Sequence, residues 1–84
     1  MKFTVVWLPD AEEELAAIWV ASIDRNAVTS ATNRAERLLR TDAATLGESR
    51  KDDQRVYFES PLVLHFRVRP LDRLVEVFHV HRPQ

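Results

Sequence analysis

The last third of this chain restricts its fold more than any other part. Leu62-Val63-Leu64-His65-Phe66-Arg67-Val68-Arg69 and Leu74-Val75-Glu76-Val77-Phe78-His79-Val80-His81 flank the tetrapeptide Pro70-Leu71-Asp72-Arg73. Apolar side chains recur at every second position, the period of a strand with one buried face. Proline, whose φ is already fixed, suits the reversal between them. The two stretches therefore predict an antiparallel hairpin. With Pro70 to Arg73 as its loop, Arg69 faces Leu74 and Arg67 faces Glu76, where a cross-strand ion pair is the simple expectation. This register gathers Leu62, Leu64, Phe66, Val68, Val75, Val77, His79 and His81 on a core face, which makes both histidines structural. The opposite face carries Val63, His65, Arg67, Arg69, Leu74, Glu76, Phe78 and Val80. A slip of one residue would exchange the two sets.

The remaining elements follow from local signals. Residues 2–8, rich in Phe, Val and Trp, read as a buried strand. The start of the chain has no small-residue cleavage site and runs straight into acidic residues, so it is not read as a secretory signal. Pro9 suits a first helical turn, where its missing N–H would have no partner. Asp10 followed by Glu13 resembles a capping box. Ala11, Leu15, Ile18, Trp19 and Ser22 then share a face, which predicts a helix over 10–22. Ser22 and Asp24 are good caps for a second helix over 25–40, where Val28, Ala31, Ala35, Leu38 and Leu39 repeat at spacings of three and four. Gly47 ends any extension of it. The short link predicts an antiparallel helix pair. Glu48 to Gln54 is wholly polar and reads as a loop, and Ser60-Pro61 separates the strand 55–59 from the next. The order β-α-α-β-β-β predicts one α+β domain over 1–84: a four-stranded sheet with a two-helix hairpin on one face. Its expected core includes Trp7, Leu15, Ile18, Leu38, Phe66 and Val77.

With 84 residues and no cysteine, the chain hides little more than ~60% of its unfolded surface and has no thiolate for catalysis or metal binding. Cysteine-free composition fits a reducing compartment, so a cytoplasmic location is expected. No apolar run approaches the ~18 residues of a membrane span, and no membrane partner is expected. A net charge of −1 and a pI near 6.3 argue against a free-standing nucleic-acid binder. The charges are unevenly spread. Asp10, Glu12, Glu13 and Glu14 form an acidic block, whereas arginines crowd the chain from Arg34 onward, so local fields matter more than the sum.

Several stretches carry a family resemblance. They are Val6-Trp7-Leu8-Pro9-x-Ala11-x-x-x-Leu15-x-x-Ile18-Trp19, Gly47-x-x-Arg50, Leu62-Val63-Leu64-His65-Phe66-Arg67-Val68, and the closing Val75-x-Val77-x-His79-Val80-His81-Arg82. Together, over nearly the whole chain, they resemble the RelE/ParE superfamily of toxins from type II toxin–antitoxin modules. The resemblance implies a cognate antitoxin that wraps a partly disordered segment over the toxin, giving a hetero-oligomer. It also implies one of two targets, because some members cleave messenger RNA, often at the ribosome, and others poison DNA gyrase.

RNA cleavage through the 2′-hydroxyl needs a base, cations for the phosphate and an acid for the leaving oxygen, but no metal. By the resemblance, the catalytic candidates are Arg50, Arg67, His79 and His81, with Lys51, Arg55, Arg69 and Arg82 as nucleic-acid contacts. Histidine titrates near neutrality and can serve as either acid or base. Val63, Phe78 and Val80 on the open face, with the Arg34 and Arg37 ridge of the second helix, are the expected antitoxin contacts. Ribonuclease members often end in tyrosine or His-Tyr, whereas this chain ends His81-Arg82-Pro83-Gln84 and its only tyrosine is Tyr57. That departure favours the alternative: a non-catalytic module that poisons gyrase or only pairs with an antitoxin as co-repressor. His79-x-His81 offers two imidazoles to a metal, but the third ligand would have to be His65, on the opposite face in this register. No metal and no cofactor is therefore expected. No Gly-rich phosphate loop or serine elbow is present.

Overall fold

In the computed structural model, which describes residues 2–83, Pro9 opens the first helix as expected, one residue after a short strand. The elements are β1 (Thr4–Trp7), α1 (Pro9–Ala21), α2 (Arg25–Asp42), β2 (Glu48–Ser49), β3 (Gln54–Glu59), β4 (Leu62–Arg69) and β5 (Leu74–His81), with a 3-10 turn at Pro70–Asp72. Leu8 is the N-cap of α1 and has no side-chain bond, so the Asp10–Glu13 capping box does not form. Asp10 and Glu12 still lie in the first turn, where carboxylates favour the helix dipole. The cap of α2 is as expected: the Asp24 carboxylate accepts from the Ala27 N–H at 3.1 Å.

The strands form one sheet in the order β1-β5-β4-β3-β2. β1 runs parallel to β5, and the other pairs are antiparallel. The α+β class and the helix pair agree with the sequence reading, but the sheet has a fifth strand. Glu48 and Ser49, read as loop, pair with Val56 and Arg55. Gly47 makes this possible: it sits at φ +70, and a Cβ there would overlap the Val56 carbonyl.

One face of the sheet and the apolar stripe of α2 share a single core. Phe66, Leu62, Leu64, Val75, Val77 and Val80 meet Ala11, Val28 and Leu39 there. Trp7, Leu15 and Ile18 are partly buried against it. Leu38, expected in the core, is only half-buried; the buried stripe of α2 runs Val28, Ala31, Ala35, Leu39.

The β4–β5 hairpin begins in the expected register, with Arg69 opposite Leu74, Val68 opposite Val75 and Arg67 opposite Glu76. A bulge then intervenes. Phe66 pairs with Val77, but the next residue on β4, His65, pairs with His79, so that Phe78 is an extra residue on β5. Beyond it every side chain of β5 changes face. Val80, expected on the open face, is 1% exposed. His79 and His81, expected in the core, join Val63 and His65 on the open side. The cause is the spacing of three between Val77 and Val80. Only an inserted residue lets Val80 continue the buried stripe of Val75 and Val77, and burying a valine is favourable where burying two imidazoles is costly.

Candidate site on the open sheet face

The bulge assembles the site. Phe78 and His79 come from its two consecutive positions, His81 from the next turn of the pleat, and His65 from the neighbouring strand. The imidazole centroids form a near-equilateral triangle: His65 to His79 4.9 Å, His65 to His81 5.3 Å and His79 to His81 5.1 Å. The two β5 rings are stacked, with planes 18° apart.

Each histidine has a distinct setting. β1 leaves the edge of β5 at Val77, whose carbonyl accepts from the Leu8 N–H, and α1 supplies the next partner. Glu14 accepts from the Val80 N–H through Oε1 and contacts His79 Nδ1 through Oε2, both at 2.9 Å. An ionised carboxylate only accepts, so the proton of His79 lies on Nδ1 and its Nε2 is left for other work. Burial alone would raise the Glu14 carboxyl, but these hydrogen bonds and the His79 and His81 charges hold it below its ordinary value. On the adjacent strand the His65 Nε2 is buried with no hydrogen-bond partner. Burial, then the charges of His79, His81 and Arg50, push this imidazole below its ordinary pKa.

Around the triangle lie one stacked and several paired cations. The Arg67 guanidinium lies 5.0 Å from the centre of the Phe78 ring. The expected Arg67–Glu76 pair exists at 3.7 Å, and Asp53 is equally near Arg67. Glu76 is held more closely by Arg69, at 2.8 Å. Arg50 is exposed and lies 3.7 Å from the exposed Glu48. Phe58, 61% exposed, stands opposite the half-buried Val63 on the same face.

No protein-family model and no curated protein matches the sequence. The architecture is more telling. A chain of the toxin-antitoxin complex RelBE2 from Mycobacterium tuberculosis aligns with 99% of this chain and 93% of its own, with a TM-score of 0.80 at 14% identity. A chain of the chromosomal ParDE TA system from P. aeruginosa aligns with 99% of this chain and 98% of its own, with a TM-score of 0.77 at 19% identity. The fold is RelE/ParE-like.

On this RelE/ParE-like fold the candidates named from sequence divide. Arg67, Arg69, His79, His81, Phe78 and Val63 share the open face, with Arg69 held on Glu76 and Arg50 close enough for its charge to bear on His65. The others lie elsewhere. Arg55 points to the helix side and donates to the carbonyls of Leu46 and Gly47 at 2.8 and 3.1 Å, closing the turn after α2. Arg82 donates to Ser22 Oγ at 2.8 Å, and Lys51 is exposed in the turn before β3. Arg34 pairs with Glu59 at 2.8 Å, tying α2 to β3, while Arg37 lies near enough for its charge to bear on the same carboxylate. Val80 is in the core and has no open-face surface to offer. Sequence reading left Phe58 and Glu14 unnamed and set His65 on the face opposite the other two histidines. The alternation of Val56 and Phe58 with Tyr57 and Glu59 was a usable signal for Phe58. Glu14 had none, because its role depends on where the bulge frees the β5 edge.

Proposed function

We propose that this chain is the toxin of a toxin–antitoxin pair, and that its open sheet face receives both the antitoxin and the target. The observation that carries this reading is the likeness, over 99% of the chain, to chains of two toxin-antitoxin assemblies. The open face supports it physically. Phe58, Val63 and Phe78 lie among charged groups on a surface that neither helix covers, the kind of patch that a second chain commonly buries.

The finer proposal is metal-independent RNA cleavage. His79, with Nδ1 anchored on Glu14, takes the 2′-hydroxyl proton at Nε2 while the 2′-oxygen attacks the phosphorus. His81, its ring centre 5.1 Å from that of His79, protonates the leaving 5′-oxygen. Arg50, whose one carboxylate neighbour, Glu48, is 78% exposed at 3.7 Å, balances the charge that develops on the phosphate. Phe78 and Phe58 offer faces for unpaired bases. The products are a 2′,3′-cyclic phosphate and a 5′-hydroxyl.

A second reading, binding without catalysis, has its own support. Arg67 already faces two carboxylates, and Tyr57, the only tyrosine, donates to Glu59 on the helix side. Gyrase inhibition or simple antitoxin pairing would use the same face without its acid and base. Incubation with RNA, free and on translating ribosomes, in the presence of a chelator separates the two. Cleavage that stops with a 2′-deoxy nucleotide and falls at least ~100-fold in His79→Gln and His81→Gln supports the enzyme. Growth arrest with intact RNA would leave the binding module.

A further inference from the structure

Three imidazoles converge on one surface, and the bulge at Phe78 is what brings them there. Their ligand atoms lie within 4.8 Å of one another. These are all the histidines the chain has. Clustering alone is weak, since like groups repel once protonated, but two further features point the same way. The His65 Nε2 is shielded from solvent and has no hydrogen-bond partner, a costly state for a buried polar atom. The His79 Nδ1 sits 2.9 Å from Glu14 Oε2. A carboxylate that holds one ring nitrogen and turns the other toward a shared centre is the usual outer partner of a metal-bound histidine.

We propose that His65, His79 and His81 form a binding site for a divalent transition-metal ion, with Zn(II) the ion that the ligand set suits best. Neutral imidazoles suit borderline ions such as Zn(II), Ni(II) and Cu(II) and are poor ligands for Mg(II) or Ca(II). Tetrahedral Zn–N bonds of ~2.0–2.1 Å bring ligand nitrogens to roughly 3.3–3.4 Å. The present spacing closes to that by rotation of half-buried rings, chiefly unstacking His79 from His81. His65 ligates through its unpartnered Nε2 and His79 through Nε2 opposite Glu14. Three protein ligands leave the fourth position, toward solvent, for water or an anionic oxygen. Metal binding does not depend on the toxin reading. One consequence does rest on it: nitrogens bound to a metal cannot move protons, so the loaded protein would not cleave RNA by the route above.

The test uses the 84-residue chain without an affinity tag. Co(II) is titrated in and followed by visible absorption, then displaced with Zn(II). The expected result is one ion per chain, a four-coordinate Co(II) spectrum and a higher melting temperature with Zn(II). His65→Leu and His81→Gln should each weaken binding at least ~100-fold, and Glu14→Gln, as a positioning change, ~10- to 100-fold. Metal-free melting curves establish that each variant is folded, with His81→Gln at the strand end the least disruptive. No uptake at micromolar Co(II) or Zn(II) would overturn the proposal. So would uptake that folded His81→Gln and His65→Leu leave unchanged, since the ion would then lie elsewhere.

Discussion

The two halves of the β4–β5 hairpin obey different rules. From the turn to Val77, alternation in the sequence maps directly onto faces of the sheet. Arg67, Arg69 and Glu76 are outside, Val68 and Val75 inside, and the Arg67–Glu76 contact is the one expected from the register, with the closer Arg69–Glu76 contact added to it. Beyond Phe78 the same alternation gives the wrong answer for every residue of β5. This far half also holds the three histidines, the unpartnered His65 nitrogen and the carboxylate clamp from α1. The near half is held by surface pairs between neighbouring strands. The far half is held by a contact from a residue far away in sequence. Bulges re-aim side chains at sheet edges and next to functional sites, and here one residue separates a structural half from a chemical half.

Charging the residue that the bulge turns inward should have the largest effect. Val80 is 1% exposed, so Val80→Asp buries a carboxylate with no partner in the far half. A loss of roughly 4 kcal/mol or more is most of what a small domain has. The variant is expected to be unfolded at 25 °C by circular dichroism and denaturant titration. Deleting Phe78, by contrast, removes the bulge but leaves His79, Val80 and His81 on the faces they now have, so that variant should stay folded. A wild-type midpoint for Val80→Asp would mean that Val80 lies on the open face.

A milder test keeps the bulge and reads the faces directly. Val80→Ala should destabilise by about 1.5–3 kcal/mol, comparable with Val77→Ala, because both side chains are fully buried. Val63→Ala, on the half-buried open face, should cost less than ~1 kcal/mol. Unbulged alternation puts both Val63 and Val80 on the open face, so there Val80→Ala would cost no more than Val63→Ala. Denaturation midpoints of the three variants decide between the two arrangements.

Much of the fold was legible because its signals are local. Pro9, the Asp24 cap, the Val28-Ala31-Ala35 stripe and the turn at Pro70 each act within a few residues, and each stands where the sequence put it. The fifth strand was not legible, since Glu48 and Ser49 are polar and become a strand only by pairing with β3. Leu38 and Leu39 are adjacent, and periodicity alone does not say which one points inward. The site was half legible. Arg67, Phe78, His79 and His81 were named, but the last two were assigned to the core and His65 was separated from them. The clue was present in Val75-x-Val77-x-x-Val80, a change of spacing from two to three. Read as an interruption of the strand period, it places the bulge. Glu14 remained out of reach, because a residue of α1 acquires its partners only when β1 has stopped short of the end of β5.

The smallest expected effect concerns the far end of β4, where Glu59 stands opposite Leu62. Burial would raise the Glu59 carboxyl, but hydrogen bonds from Tyr57 and Arg34 outweigh it and hold the group below its ordinary value of 4.5. A carboxyl depressed in the folded state stabilises it above the unfolded value. That contribution is lost as the pH falls through the lower folded value. Glu59→Gln should therefore flatten the acid limb of stability below pH 4.5, at a cost of about 1 kcal/mol at neutral pH. Glu76→Ala, which breaks half-buried pairs in the near half, should cost ~1 kcal/mol or less. Tyr57 gives an independent readout, because it is the only tyrosine and its phenolate is visible by ultraviolet absorption. Burial and the Glu59 carboxylate together push it up to about 12 from 10.0. In the Glu59→Gln variant burial remains but the negative charge is gone, so the phenol should titrate part of the way back. If the phenol of folded Glu59→Gln still titrates near 12, burial alone holds Tyr57, and the far end of β4 is no more ionic than the turn.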